Sequence, residues 1–206
     1  MKKLYYYKAM FTTRPCAAGC GNPAIFDSAL CASHSVDPKE EARRVKKYIM
    51  GQKAVKDLNA QGLHFYRTDF SGREFYGCNF NGAIFSKCYF SNVYMRLVFF
   101  EFSQFTSCIF SKGDFRYVSF AGTELHDCSF EGSELIDINY GGAVIENSVF
   151  NDNNLYNSRF IEAWIKRVSF INCNLKRTNF IRSLQEEISF KSSNTIDSNF
   201  KMEGTG

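Results

Sequence analysis

Proline is scarce in this 206-residue chain, and its absence extends over most of the length. The three prolines are Pro15, Pro23 and Pro38, and the 168 residues that follow contain none. Disordered and linker-like chains are poor in aromatic residues and often rich in proline, whereas 17% of this chain is aromatic. The composition therefore excludes both classes and favours one folded domain, either alone or with a small additional segment.

Long apolar runs are also missing. No stretch of about 18 apolar residues exists, so we expect neither a membrane-spanning helix nor a membrane partner. At the N-terminus Lys8 interrupts a short apolar run, and no small-residue cleavage site follows it. We therefore expect no export signal and a cytoplasmic protein.

Histidine is rare, and the sequence offers no catalytic set. Of the three histidines, His34 belongs to a cysteine motif described below, and His64 and His126 lie far apart. No Ser–His or Cys–His pairing follows from the repeat described below, and no phosphate-binding glycine loop is present. The carboxylates that cluster between residues 124 and 137 are more typical of a solvated face than of an acid–base pair. The sequence predicts that the protein is not an enzyme.

Basic residues are in small excess over acidic ones, and the excess lies in the first third of the chain. The net charge is +4; residues 1–62 hold eleven basic and five acidic side chains, whereas residues 63–200 hold thirteen and fifteen. This asymmetry predicts two physically different parts. It makes nucleic acid a candidate partner of residues 1–62, although solvated lysines on a helix face explain the surplus equally well.

A period of five residues runs through the last two-thirds of the chain. From Phe65 to Phe200, 28 consecutive pentads carry a large apolar residue at the same place, here called the centre, except at Gln185 and Thr195. Eighteen of the 22 phenylalanines are centres. Neither a helix nor a flat strand puts every fifth residue on one face, but a chain that turns a corner every five residues does. Mostly small residues lie two positions before each centre, which close packing requires.

This pattern resembles the pentapeptide-repeat family. The resemblance implies an all-β, right-handed, four-sided (quadrilateral) β-helix with four pentads per coil, and hence about seven coils. Residues twenty apart then stack, which predicts one phenylalanine ladder from Phe70 to Phe190 and a second, with Tyr140 in it, from Phe80 to Phe200. At roughly 4.8 Å between strands the rod is about 34 Å tall. The missing proline fits, because every rung must donate backbone N–H groups.

The eight cysteines divide into two groups, of which the first follows the repeat. Five lie two residues before a centre and are expected to be small inward fillers in a reduced protein. They are Cys78, Cys88, Cys108, Cys128 and Cys173. Three of these are spaced by twenty and form a vertical stack whose spacing in principle permits a disulfide, an alternative to the favoured filler interpretation.

The second group precedes the repeat, in the pattern Cys16-x₃-Cys20…Cys31-x₂-His34. Two close pairs of soft ligands separated by a short loop match a tetrahedral Cys₃His zinc site. The segment also resembles short bacterial zinc-binding modules of the form C-x₃₋₄-C…C-x₂-H. Four protein ligands leave no open position, so a bound zinc is expected to be structural. The alternative is three free thiols and a surface histidine.

An amphipathic helix is predicted between the two parts, over residues 37–60. Asp37 is a good N-cap and Pro38 suits the first helical position. The predicted apolar stripe consists of Ala42, Val45, Tyr48, Ile49, Val55 and Leu58. We favour a helix that caps the first coil, because open β-helix ends expose strand edges; the alternative is a basic face that contacts nucleic acid.

The predicted organisation has four segments. A zinc-binding module with an N-terminal arm occupies residues 1–36, and the capping helix occupies residues 37–60. The β-helix follows over residues 61–200, and residues 201–206 form a tail.

An apolar girdle around one coil is the candidate partner surface. Its members are Ile84, Tyr89, Tyr94, Leu97, Phe99 and Phe102. Either the arm, through residues 4–11, or an external partner covers it; the sequence leaves both open.

The expected function is a non-catalytic scaffold that binds an unidentified protein. A nucleic-acid-binding adaptor acting through residues 1–62 is the alternative, and a homodimer is also left open. Some members of the family protect DNA gyrase from quinolones by imitating duplex DNA. The nearly neutral repeat argues against that role here, which makes it the weakest candidate.

Overall fold

The computed structural model of the chain describes residues 13–200, which form a four-sided β-helix of about seven coils preceded by one helix and a short module. Helix α1 spans Pro38–Met50. Twelve three-residue strands follow: β1 Ala54–Lys56, β2 His64–Tyr66, β3 Glu74–Tyr76, β4 Ile84–Ser86, β5 Tyr94–Arg96, β6 Gln104–Thr106, β7 Asp114–Arg116, β8 Glu124–His126, β9 Glu134–Ile136, β10 Val144–Glu146, β11 Trp164–Lys166 and β12 Leu184–Glu186. The fold predicted from the period of five is confirmed.

The coils stack in parallel with partners twenty residues apart, so the rod has four faces. Strands β1, β3, β5, β7 and β9 form one sheet, here face 1, and the other seven strands form a second sheet, face 3. Single bridges connect the coils on the two remaining sides. Face 2 contains the bridges that run from Asn59 through Asn79 and Phe99 to Ser119, and face 4 those from Asp69 through Tyr89 onward.

The core of the rod is filled by the predicted centres. From Phe65 to Phe180 every centre is buried, and rings twenty residues apart stack face to face. The ring centroid of Phe110 lies 4.7 Å from that of Phe90 and 4.4 Å from that of Phe130. Rings on adjacent faces, such as those of Phe105 and Phe110, meet edge to face, the other arrangement that the aromatic quadrupole favours. Both predicted ladders are present.

The two exceptions to the pattern lie where the described part of the rod ends. Gln185 is half-buried and Thr195 is exposed, and Phe200 in the same coil is 37% exposed. A polar centre is tolerated there because no further coil among the described residues covers it.

The corner of a pentad is made by the residue two positions after the centre. Leu97 and Phe102, for example, have φ values of 55° and 56°, and most other corner residues are also left-handed. Glycine, asparagine and aspartate are frequent at this position because they tolerate the left-handed region best. Twenty-residue stacking therefore also aligns the corners along four edges of the rod.

The predicted helix over residues 37–60 is too long. The helix ends at Met50, and the Gly51 N–H donates to carbonyl groups of the last turn. Val55, which the helical stripe included, is instead a buried centre in β1, paired with Phe75. Leu58 is the inward residue before Ala60, which is also a centre, so the repeat begins before residue 61. Small centres without phenylalanine hid this first part of the coil, and their spacing also fits a helix.

The five cysteines of the repeat are free and buried, as the filler interpretation predicts. The Cys108 thiol donates to the carbonyl oxygen of Phe85 at 3.5 Å, and Cys88 makes the equivalent bond to Phe65 at 3.4 Å. Within residues 13–200, no helix has the length and apolarity that crossing a membrane requires.

Candidate metal centre and outer surface

The four predicted metal ligands come together in the module on top of the rod, next to its first coil. One ligand atom from each of Cys16, Cys20, Cys31 and His34 lies within 4.8 Å of the others. The Cys20 and Cys31 sulfurs are 3.7 Å apart, and His34 Nδ1 lies 3.3 Å from the Cys31 sulfur. A tetrahedral zinc ion with bonds of about 2.3 Å to sulfur separates two sulfurs by about 3.8 Å, so the cluster has the size that such an ion needs. The cluster can bind a metal.

Two tight turns place these ligands. The first pair lies in a hairpin closed by the hydrogen bond from Cys16 N to Asn22 O, and Gly19 and Gly21 take positive φ values of 72° and 80° there. The second pair lies in a single helical turn, in which the His34 N–H donates to Cys31 O. The Cys31 N–H also points at the Cys16 sulfur, 3.3 Å away, and so supports a thiolate.

The surroundings favour the charged form of two of the thiols. A hydrogen bond from the Ser33 hydroxyl, followed by one from His34, lowers the pKa of Cys31 from 9.0 to about 6. The backbone N–H of Cys31 lowers the pKa of Cys16. Hydrogen bonding to Cys31 raises the pKa of His34. Deprotonated sulfur is the form that a metal ion binds.

The module is fixed to the helix and the first coil by specific contacts. Asn59 donates through Nδ2 to Ala24 O at 2.6 Å and accepts from the Phe26 N–H at 2.8 Å. Arg44 of α1 donates to Phe26 O at 2.8 Å and pairs with Asp27 at 3.1 Å. Because these bonds link three segments that are distant in sequence, the cluster is held at a defined place on top of the rod.

The predicted girdle points in four directions. Ile84, Tyr89, Tyr94 and Phe99 lie on faces 3, 4, 1 and 2 respectively, with Tyr89 exposed and the other three half-buried. The guanidinium of Arg96 covers Tyr94 at 3.6 Å from the ring centroid. A flat partner can meet only one or two faces, so the girdle is not one continuous patch. Its most exposed member, Phe102, lies at the corner after face 2.

Two comparisons of the sequence with family profiles decide the relationship. Residues 74–111 match pentapeptide repeats (8 copies), and residues 123–200 match a pentapeptide repeat region. Together the two matches cover more than half of the chain. The chain belongs to the pentapeptide-repeat family. Neither match includes the cysteine module before residue 74.

Among solved structures, one shares the fold and a second shows a weaker similarity. A trypsin-treated variant of QnrB1, a plasmid-mediated fluoroquinolone resistance protein, is 20% identical with a TM-score of 0.59 over 69% of this chain and 74% of that one. HetL from the cyanobacterium Nostoc sp. strain PCC 7120, involved in heterocyst differentiation regulation, is 12% identical with a TM-score of 0.34 over 76% of this chain and 92% of that one. The identity with QnrB1 is too low to indicate more than the fold, and the similarity to HetL is too weak to support any argument. No curated protein matches the chain.

Sequence reasoning included Leu97 and Phe102 in the girdle but missed Tyr117, a third bulky residue at a left-handed corner. Tyr117 lies at such a corner with φ 55°, as Leu97 and Phe102 do. The signal was in the sequence: the position two after each centre is otherwise glycine, polar or charged from residue 57 to residue 197.

Proposed function

We propose that the protein is a non-catalytic scaffold that presents its rigid outer surface to a protein partner. The carrying observation is the filled core: every centre from Phe65 to Phe180 is buried, so the rod offers its outside rather than a cavity. Exposed apolar side chains at Tyr89, Leu97 and Phe102 are the candidate contact residues.

Affinity enrichment with the intact protein tests this function. The wild type should retain a specific protein that soluble wild type competes off. A triple variant with Tyr89, Leu97 and Phe102 replaced by asparagine should lose that protein. A control with Lys87, Ser107 and Lys112, which are polar corner residues, replaced by asparagine should keep it. Equal retention by both variants contradicts the assignment of the surface, and no specific retention by the wild type contradicts the function.

We also propose that Cys16, Cys20, Cys31 and His34 hold one structural zinc ion. The support is the size of the cluster together with its four soft ligands, which leave no open coordination position. The purified intact protein should contain about one equivalent of zinc, and a Cys31→Ser variant clearly less. Less than about half an equivalent in the wild type contradicts the assignment.

The module and α1 are proposed to cap the rod as units distinct from the β-helix. Ala42, Val45 and Ile49 of the helix belong to the same buried cluster as the first centres. Arg73 of the next coil donates to the carbonyl groups of Ile49 and Met50, both at the C-terminus of the helix. Covering the first coil in this way prevents its edges from pairing with another molecule.

A nucleic-acid-binding adaptor is the second candidate, because several basic residues of α1 and of the segment up to the end of β1 are exposed. Lys39, Arg43, Lys47, Lys53 and Lys56 are all accessible. Binding of the intact protein to a short DNA duplex or RNA strand should then weaken steeply with salt. No binding at low salt contradicts this role.

Two further arrangements have specific tests. Fluoroquinolone resistance is what the name of the QnrB1 neighbour states, but the repeat here carries thirteen basic and fifteen acidic residues and lacks the strong negative charge of a DNA mimic. Reduced quinolone inhibition of gyrase supercoiling by the purified protein would support that role. A homodimer would appear as twice the chain mass of 23.6 kDa in light scattering.

A further inference from the structure

Three neighbouring corners of the rod carry bulky apolar side chains where the other corners do not. They are Leu97, Phe102 and Tyr117, here called the corner patch, with exposed fractions of 40%, 75% and 59%. Between residues 57 and 197, the remaining corner positions hold glycine, polar or charged residues. The patch is therefore a local departure from a rule that the rest of the rod follows.

The backbone at these corners makes the departure unfavourable for the isolated rod. Leu97, Phe102 and Tyr117 have φ values of 55°, 56° and 55°. The left-handed region disfavours bulky L-residues, and an exposed apolar side chain gains nothing from water. Local stability therefore does not explain these three side chains. Their burial in a contact with another segment or molecule does, because it removes their apolar surface from water.

The corner patch frames one side of the rod. Leu97 and Tyr117 are stacked twenty residues apart at the corner before face 2, and Phe102 lies at the corner after it. The Phe102 ring lies so close over the next coil that a Cβ atom on Gly122 would be 2.7 Å from its Cδ1 atom. Gly122 is the corner residue stacked on Phe102, and on face 2 itself Phe99 and Glu101 lie between Leu97 and Phe102.

The start of the described chain lies above this same face. Thr13 lines a cleft of about 330 Å³ together with Lys56, Asp57 and Asn59. Asp57 occupies the corner that Leu97 and Tyr117 occupy two and three coils further on, and Asn59 begins face 2. At about 4.8 Å per coil the patch is roughly 10–15 Å away along the rod. Twelve residues can span up to about 40 Å, so residues 1–12 reach it easily.

The chemistry of the N-terminal arm matches the patch. Six of residues 4–11 are large and apolar, and residues 1–12 as a whole carry three lysines, Lys2, Lys3 and Lys8, and no acid. Glu101 and Asp137 flank the patch; within residues 13–200 they accept hydrogen bonds from neutral groups, among them Asn81 and Asn157, and form no ion pair. The lysines of the arm supply the positively charged partners that these carboxylates lack among the described residues.

We propose that residues 4–11 dock along face 2 over the corner patch of the same chain. The docked arm covers Leu97, Phe102 and Tyr117, and its lysines lie near Glu101 and Asp137. The inference goes beyond the scaffold function and does not require its partner to be known.

Trypsin cleavage of the intact protein after Lys8 tests the proposal. The next basic residue, Arg14, is followed by Pro15, so Lys8 is the last susceptible site before the module. A Leu97→Asn/Phe102→Asn variant should be cleaved after Lys8 at least about tenfold faster than the wild type, because cleavage follows the population of undocked arm. Asparagine tolerates the left-handed corners, so the variant should fold; its melting temperature checks this.

The matched control is Trp164→Asn, which removes an exposed aromatic residue (44%) from face 3. It should leave the rate of cleavage unchanged. Equal rates in the wild type and the corner variant would overturn the proposal.

A photo-crosslink identifies the occupant directly. In the full chain, Tyr6→p-benzoylphenylalanine should crosslink to residues between 97 and 122 of the same molecule. Crosslinks between heavy- and light-isotope copies would show that a second copy holds the arm. Crosslinks to a second cleft, of about 470 Å³ and lined by Cys31, Gly62 and His64, would place the arm elsewhere. Either result overturns docking on face 2.

Discussion

The two parts of the molecule use the same side chain in opposite ways. In the module, hydrogen bonds from Ser33 and His34 lower the pKa of the Cys31 thiol to about 6. In the rod, a hydrogen bond with Cys128 together with burial raises the pKa of Cys108 to about 12. A cysteine near polar donors becomes a ligand or nucleophile, whereas one among phenylalanine rings remains an inert filler.

The same contrast holds for what stabilises each part. The rod buries continuous ladders of aromatic rings and pairs each coil with the next. The module has four strongly buried apolar or cysteine side chains, Cys16, Ala24, Ile25 and Cys31. So small a core rarely suffices without a metal or a disulfide, and we therefore expect the module to depend on the proposed zinc ion.

Metal removal should separate the two parts most clearly. The apparent binding free energy of structural zinc is about 10–16 kcal/mol, and that stabilisation is confined to the module. A strong chelator should abolish amide hydrogen-exchange protection in residues 16–35 and leave the far-ultraviolet signal of the rod intact. Loss of the rod signal at the same chelator concentration would contradict the separation.

Thiol labelling compares the cysteines directly. In metal-free protein at pH 7, iodoacetamide should modify Cys31 at least about 10⁴-fold faster than Cys108, because the thiolate is the reactive form. The rate at Cys31 should fall as the pH drops through about 6 rather than through the ordinary 9.0. Mass spectrometry of the labelled peptides measures both.

The same shift sets the pH dependence of the metal-free module. A lowered pKa means that ionised Cys31 stabilises the fold fully above pH 9.0 and that this contribution is lost as the pH falls towards about 6. For the labelling comparison, rapid modification of the rod cysteines in the native protein would contradict the expected difference, because it would show that the rod opens.

A cavity in the middle of the rod should have the next largest effect. Phe110→Ala removes a ring stacked 4.4 Å from Phe130 and should lower the free energy of unfolding by about 3–5 kcal/mol. Urea denaturation measures the change. Lys112→Ala, at an exposed corner two residues away, is the control and should shift it by less than about 1 kcal/mol. A loss below that value for Phe110→Ala would indicate that the ladder does not carry the stability.

The smallest effect concerns a hydroxyl group inside a ladder. Tyr140 stacks between Phe120 and Phe160, and its hydroxyl is buried without a hydrogen-bond partner among the described residues. Tyr140→Phe should therefore stabilise the rod by about 1 kcal/mol, observed as a higher denaturation midpoint. Destabilisation would show that the hydroxyl has a partner, such as a buried water molecule.

The sequence predicted most of the fold because its spacing admits one geometry. A centre every five residues does not fit a helix or a flat strand, so Phe65 to Phe200 determined the rod and its register. The first coil was missed because Val55 and Ala60 lack the aromatic signature and their neighbours also fit a helical stripe. The proximity of Cys16, Cys20, Cys31 and His34 was predicted by their spacing. The packing of the module on Asn59 and Arg44 could not be, because it depends on contacts between segments distant in sequence.

The corner residues show a different limit. The sequence shows that most corner positions hold glycine, polar or charged residues. The cause, a left-handed backbone, became clear only from the dihedral angles at corners such as Leu97. Once that cause is known, a bulky residue at a corner indicates an unusual demand on the surface, which composition alone does not reveal.

The strict stacking of residues twenty apart also governs how such a rod can change in length. Duplication of a whole coil would lengthen it by about 4.8 Å and leave every side below the duplication facing the same way. Duplication of a single pentad would instead turn everything beyond it by a quarter revolution and move a binding surface to the neighbouring side. The distance between sites can thus vary in steps of one coil, while their relative orientation is preserved only when four pentads are added together.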